Sequence, residues 1–320
     1  MDSKDCPRIS VIIPLFNQKQ YIGEAVDSVL NQTYSNIEII VVNDGSTDHP
    51  DRILRKYQNE IKVITQENKG LASARNTGIN EAKGEYLQFL DADDFLHKDK
   101  LKLQLDFMTD IRAVVSYCEI AQYDDINKKT HLSYIGKLDD IFPNLYNLWF
   151  TYPLPIHSLL FKREIFTRYG NFPEDLTAAE DRHFLSVLAL NKIKFCYYPI
   201  IGGFRRLHNQ NMNKNRLHIY QNMIKFYRKL NQYKPATKYI NKQFDYSCHQ
   251  MMRANITYMY LGDIAGGIPI SVLRQIKKLI SNEDIRFFFR PIPQNTVKLK
   301  SQFLYLIAYI LRYRRLLLKT

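Results

Sequence analysis

The densest chemistry of the chain lies in residues 85–95, where a short apolar run at 86–90, interrupted only by Gln88, ends in Asp91, Asp93 and Asp94. Three carboxylates this close repel one another and call for a positive partner. A hard divalent cation, Mg2+ or Mn2+, suits oxygen donors and keeps positions open for phosphate oxygens. The plainer alternative is an acidic turn that caps the following helix. Other side chains with the right chemistry are Asp44, at the end of a second apolar run, and Arg75. Glu180 and Asp181 open an amphipathic stretch, and Arg206 and His208 follow Gly202 and Gly203, which read as a turn.

The elements that must position these residues follow from hydrophobic spacing. Strands are expected at residues 9–13, stopping at Pro14, and at 37–42, 61–65 and 86–90. Between them come an amphipathic helix through Ile22, Ala25, Val26, Val29 and Leu30, with Asn17 as its cap, a short helix near 53–57, and a third at 71–81. Weakly alternating apolar strands in a βαβαβαβ order predict a Rossmann-like, mostly parallel sheet with helices on both faces. Such sheets bind ligands beyond the C-terminal ends of their strands. The polar turns 14–17, 43–48, 66–70 and 91–94 therefore converge on one edge. The second half predicts helices at 100–108, 141–152, 163–169 and 179–190, and strands at 113–120, 158–161 and 193–198. Residues 122–138 read as a polar surface excursion, either a hairpin or a mobile loop.

Charge divides the chain. Residues 1–204 carry 23 Lys/Arg against 28 Asp/Glu, whereas residues 205–320 carry 22 against four. A basic half of this kind suits a membrane surface, a phosphate-bearing acceptor or nucleic acid. Its helical periodicities fall at 219–227, 244–260, 272–280 and 303–318. The last is too short and too charged to span a bilayer, but its aromatic and Leu face beside an Arg cluster suits an interfacial helix or one packed on a partner. Four scattered cysteines have no metal spacing and suggest no disulfide framework, and the N-terminus lacks the apolar core of a signal peptide.

Five stretches together carry a resemblance: VIIPLFN at 11–17, AVDSVLNQTY at 25–34, EIIVVNDGSTD at 38–48, QENKGLASARN at 66–76 and LDADD at 90–94. In this order and spacing the chain resembles the inverting family 2 glycosyltransferases, in detail over residues 8–96 and more loosely through Glu180-Asp181 and residues 206–208. The resemblance implies a GT-A fold, a nucleotide-diphosphate sugar donor, most often a UDP-sugar, a divalent metal (Mn2+ or Mg2+) and transfer with inversion. It implies a catalytic domain over 1–208, with a nucleotide-sugar and metal half at 1–96 and an acceptor-side half at 97–208. The basic helical region at 209–320 follows.

The family's roles map onto Asp44 as the base contact, the alternative being a turn or cap residue, with Pro14, Phe16 and Asn17 lining the same edge. Phe16 packs either on the base or on the sheet. Arg75 reaches the nucleotide, holds the acidic cluster or makes an ordinary surface salt bridge. Asp91, with Ala92 beside it, contacts the ribose or orders the cluster, Asp93 binds the metal with Asp91, and Asp94 is a further ligand or a support. Asp181 is the implied general base, with Glu180 as its neighbour or a contact for the acceptor; the plainer alternative is a pair of first-turn acids favouring the positive end of a helix. Arg206 would close over the diphosphate. His208 is a further metal ligand or an ordinary surface residue. His157 touches the acceptor or is structural, and Trp149 offers a sugar-stacking face or belongs to a core.

The activity implied is sugar transfer to a hydroxyl of a glycan or lipid-linked acceptor. The setting implied is cytoplasmic and peripheral on the inner membrane face, as in bacterial capsule, lipopolysaccharide or wall-polymer assembly. The alternatives are transfer to a lipid phosphate and, in a different class, nucleic-acid binding through the basic half, for which no motif appears.

Overall fold

Ile9, Val11, Ile13 and Leu15 face one side of a strand, Ser10, Ile12 and Pro14 face the other, and all seven are buried. A strand with no solvent face belongs in the middle of a covered sheet. In the computed structural model this strand is β1 (Ile9–Leu15), followed by α1 (Ile22–Leu30), β2 (Ile37–Asp44), α2 (Asp51–Leu54), β3 (Ile61–Gln66), α3 (Leu71–Glu81) and β4 (Tyr86–Phe89). Then come β5 (Phe95–Leu96), α4 (Lys100–Asp110), β6 (Val115–Asp124), β7 (Lys129–Ser133), β8 (Leu159–Lys162), α5 (Glu164–Tyr169), α6 (Glu180–Leu190) and β9 (Cys196–Leu207). The structure describes residues 6–133, 135–137 and 154–208, together with Asn222, Lys225, Phe226, Lys229 and Leu230. Trp149 and the helices expected at 141–152, 244–260, 272–280 and 303–318 lie outside these residues, as does most of that at 219–227.

The two faces of β1 are covered by different helices. Ile22, Ala25, Val26 and Val29 of α1 join Ile9, Val11, Ile13 and Leu15 in one apolar cluster. On the opposite face α3 comes so close that a Cβ on Gly78 would stand 2.3 Å from Ile12 Cγ2. Only glycine permits that approach. Among the described residues no helix is long and apolar enough to cross a membrane.

The sheet is mixed, which corrects the expectation of a mostly parallel one. The strand order is β3-β2-β1-β4-β8-β6-β9-β5, with β7 paired to β6. The pairs among β1–β4 are parallel, but β8 runs antiparallel to both β4 and β6, and β9 runs parallel to β6 and antiparallel to β5. The physical reason is connection length. The βαβ crossovers of the first half enforce parallel pairing, whereas β6 turns directly into β7 through a tight hairpin. Asp124 accepts bonds there from the backbone N–H groups of Ile126 and Asn127, and Lys128 is left-handed.

Three local expectations also change. β1 runs through Pro14 instead of stopping at it, because Pro14 is registered with Val42 on one side while β4 is last registered at Phe89, opposite Ile12, on the other. The missing N–H therefore costs no ladder bond. Asn17 does not cap α1, whose preceding residue is Tyr21; its side chain accepts a bond from the Thr47 N–H and ties two turns together. Gly202 and Gly203 form no turn. They lie inside the twelve-residue β9, where a Cβ on Gly202 would meet Cys118 Sγ at 2.3 Å and one on Gly203 would meet the Phe95 carbonyl at 3.1 Å. Close approach, not chain reversal, requires glycine at 202 and favours it at 203.

His183 on α6 is 3% exposed and faces Phe226 edge-on. Burial drives its pKa down to about 4, with Lys229 pulling the same way and Asp175 opposing. The unfolded chain takes this proton first, so the associated stability is complete above about pH 6.5 and is lost as pH falls toward 4. The difference is about 3 kcal/mol. Urea unfolding at pH 7 and pH 4.5 is expected to show a smaller pH-dependent loss for His183→Leu than for the parent chain. Equal losses would reject the assignment.

Candidate active site

The acidic turn at the end of β4 is built from residues upward. The Asp94 N–H donates to the Asp91 carbonyl at 3.0 Å, closing a tight turn whose side chains then diverge. Asp94 is buried: one carboxylate oxygen accepts from the Arg206 N–H at 2.8 Å, and the other lies 3.1 Å from His157 Nδ1. Asp93 pairs through Oδ2 with His208 Nε2 at 2.9 Å. Asp91 keeps about a third of its side chain exposed, 34%, and takes Arg75 Nη2 at 2.8 Å.

Arg75 is the bridge of the site. It is fully buried on α3 and also donates from Nη1 to Glu180 Oε1 at 2.6 Å, with Phe172 beneath the guanidinium. It thus joins three separate elements: α3, the end of β4 and the start of α6. Of the three options open to Arg75 in the sequence, the structure brings it, buried, to the acidic cluster. Glu180 is buried with it, while Asp181, next along, is half-buried and accepts from the Arg182 N–H at 2.6 Å. Ala179, immediately before them, is left-handed at φ 65°, which sets the start of α6.

Electrostatics follow from this crowding. Burial, then the charges of Asp93 and Asp91, push the Asp94 carboxyl well above the usual range. Burial first and Asp91 second raise Asp93, with His208 opposing. Burial works to raise Asp91 too, but the Arg75 guanidinium prevails and holds it below its ordinary value. Burial draws Glu180 up to about 7 against the pull of Arg75. The 2.6 Å contact is that of a charge-assisted hydrogen bond, so the pair is ionised while Arg75 is present.

His157 is the residue that sequence reasoning placed least well. It sits on the single turn Ile156–Ser158, 1% exposed, and neither ring nitrogen makes a hydrogen bond. Burial depresses its pKa to about 3, so the imidazole is neutral and one ring nitrogen carries a lone pair available to a cation. Asp91, Asp94 and His157 each place a ligand atom within 4.8 Å of the others. Two carboxylates and a neutral imidazole with no other partner fit a divalent cation. The set expected from sequence is Asp91, Asp93 and His208, with Asp94 as ligand or support; the structure pairs Asp93 with His208, which lies just past the end of β9, beside this group.

The nucleotide edge is equally ordered. Asp44 Oδ1 accepts from Gln66 Nε2 at 2.8 Å and the Lys69 N–H at 2.9 Å, and Oδ2 from the Gly70 N–H at 2.8 Å. Gly45 follows at φ +70°, where a Cβ would lie 2.8 Å from the Asn68 nitrogen. Phe16 is 45% exposed and does not pack down on the sheet, whereas Pro14 and Ala92 are buried. Arg206 is spent internally. Its guanidinium donates to Asp125 at 2.6 Å, to Glu24 and to the Asp93 carbonyl at 2.9 Å, and the Tyr21, Phe95 and Tyr123 rings surround it. Its half-buried neighbour Arg205 adds a further positive charge near Asp91, Asp94 and His157, secondary to Arg75 at Asp91.

A model of Glycosyl transferase family 2 matches residues 10–170. An uncharacterized glycosyltransferase of Rickettsia typhi is 34% identical over 272 residues, which span 81% of this chain and 79% of that protein. Among solved structures, S. aureus TarS 1-349 in complex with UDP-GlcNAc aligns with a TM-score of 0.69 at 19% identity, covering 88% of this chain and 81% of that one. Mannosyltransferase PcManGT from Pyrobaculum calidifontis, in complex with GDP-Man and Mn2+, aligns with a TM-score of 0.58 at 20% identity, covering 90% and 84%. At these identities the two structures share the fold with this chain.

Removing the bridge exposes its worth. Arg75→Met leaves two carboxylates facing each other across a buried gap, and a destabilisation of about 3–5 kcal/mol is expected. Urea unfolding measures it, and Arg75→Lys is expected to recover only part, since an ammonium cannot reproduce the two-pronged geometry. A loss below about 1 kcal/mol would show that the bridge is dispensable.

Proposed function

Since this chain belongs to glycosyl transferase family 2 and is a nucleotide-sugar-dependent glycosyltransferase, we propose that it moves a sugar, with inversion, from a UDP-sugar to a hydroxyl of a glycan or lipid-linked acceptor. One observation carries the reading. Asp91, Asp94 and His157 gather three ligand atoms at the strand end, and across the Arg75–Glu180 pair stands a second, half-exposed carboxylate, Asp181.

In this reading the 91–94 turn holds Mn2+ or Mg2+ through its carboxylates, with His157 on the buried side and His208 beside Asp93. When bound, the cation supplies Lewis-acid stabilisation of the charge that develops on the leaving diphosphate. The chain's own residues do the rest. Asp44, with three bonds already made, keeps acceptor capacity for a uracil N–H. The exposed Phe16 ring covers the base, and Asn17 keeps its turn in place. Arg205 faces the diphosphate, while Arg206 braces the turn from behind. Arg75 keeps Glu180 and Asp91 apart and ionised, so that Asp181 stands free to take the proton of the acceptor hydroxyl as it attacks from the face opposite the diphosphate.

Asp181→Asn is expected to lower turnover by about 10²–10⁴-fold, with UDP affinity unchanged by calorimetry. Excess chelator should silence the parent enzyme and added Mn2+ restore it; full activity in chelator would defeat the cation's role.

We further propose that the basic residues of the 205–320 half, 22 Lys/Arg against four Asp/Glu, hold the enzyme against an anionic membrane surface on the cytoplasmic side. Sedimentation with vesicles containing anionic lipid should show binding at low salt and release at high salt. No binding at low salt would remove this part of the reading.

A further inference from the structure

Behind His157 lies a buried polar cluster that touches no reacting group. Lys100, Gln88 and Gln104 are all 0% exposed. The Lys100 ammonium donates to Gln104 Oε1 at 2.6 Å and to Gln88 Oε1. No carboxylate pairs with it among the described residues. A buried ammonium without a counter-charge is costly, and burial has drawn its pKa down to about 8. Such a group needs a reason to be there.

The reason lies in donor and acceptor arithmetic. An ammonium has donors only. It therefore turns the carbonyl oxygens of both amides toward itself and forces both NH2 groups outward. Gln88 Nε2 then donates to the His157 carbonyl at 3.1 Å, and Gln104 Nε2 to the Ser158 carbonyl at 3.1 Å. Cys118 Sγ donates to the same Ser158 carbonyl at 3.3 Å. The turn itself is closed by Ser158, whose N–H and Oγ both donate to the Pro155 carbonyl, at 2.9 and 2.7 Å. Gly202 of β9 closes the other wall, since a Cβ there would stand 3.0 Å from Lys100 Cγ. The lysine stem is fully buried against β9, and the turn that carries His157 has its carbonyls held from below.

We propose that Lys100 is a positioning residue for the cation site, setting the direction of the Gln88 and Gln104 amides so that they hold the His157–Ser158 carbonyls and aim the His157 imidazole at Asp91 and Asp94. The inference rests on the reading of Asp91, Asp94 and His157 as cation ligands.

The test is Mn2+ binding to the full chain without donor, measured by calorimetry, with UDP affinity in the absence of metal as a second readout. His157→Ala and Lys100→Met are each expected to weaken Mn2+ binding by about 10–100-fold, leaving UDP affinity unchanged. The double variant should bind Mn2+ no more weakly than His157→Ala alone. Gln104→Glu keeps an oxygen toward the ammonium but removes the NH2 group facing Ser158, is close to isosteric, and should follow Lys100→Met; it decides the matter if Lys100→Met does not fold. If His157→Ala weakens Mn2+ binding while Lys100→Met and Gln104→Glu stay within twofold of the parent, the positioning role is wrong and the ligand set stands. If the double variant loses the product of the two single effects, Lys100 acts through the fold at large and the proposal is overturned. If His157→Ala binds Mn2+ like the parent, the ligand reading itself falls, and this inference with it.

Discussion

Negative charge crowded at one strand end is the constraint around which this protein is built. Two like charges about 4 Å apart near a protein surface repel by about 4 kcal/mol. Asp91, Asp93 and Asp94 share one turn, and Glu180 and Asp181 stand one residue-length of arginine away. Arg75 makes this tolerable for two of the five by contacting Asp91 and Glu180 at once, from full burial. The remaining excess shows in the raised carboxyls of Asp93 and Asp94.

The other half of the molecule is organised to keep that turn still. β9 supplies the Arg206 N–H to Asp94 and the Arg206 side chain to the Asp93 carbonyl, so one residue restrains two members of the turn. The same guanidinium reaches Glu24 on α1 and Asp125 in the hairpin. Glu119 on β6 plays a parallel part, accepting the N–H groups of Ile135 and Gly136 and the Tyr197 hydroxyl, and so anchors the chain after the hairpin. These are buried or half-buried charges satisfied by several donors each, the arrangement in which ionic groups confer definite geometry.

Much of this was legible from the sequence, and the gaps have physical causes. The first four strands and three helices follow from periodicity because each apolar run is bounded by its own polar turn. The crowded acids stand out at the end of an apolar run, whereas Arg75 and the Glu180-Asp181 pair are picked out through the family resemblance. The mixed half was harder. Phe95–Leu96 is two residues long, too short to show a period, and the long β9 carries Pro199 and two glycines that ordinarily signal a break. A register shift opposite, around Glu119, absorbs the irregularity. His157 was noticed without its partners, since Asp94 lies 63 residues earlier in the chain. Its support was nonetheless visible as Gln88, the lone polar residue in an apolar strand, and as Lys100 and Gln104 spaced four apart on one helix face.

The adjacent arginines on β9 carry a consequence for fidelity of assembly. Side chains alternate along a strand, so a slip by one position would put one of Arg205 and Arg206 in the place of the other. Net charge would be conserved, and neither solubility nor overall electrostatics would report the error. The two glycines upstream act as a ratchet tooth against it. Gly202 fits only under Cys118 and Gly203 only under the Phe95 carbonyl, and a slipped strand would drive Ile201 or Phe204 into one of those gaps. Steric keying thus guards a distinction to which charge alone is blind.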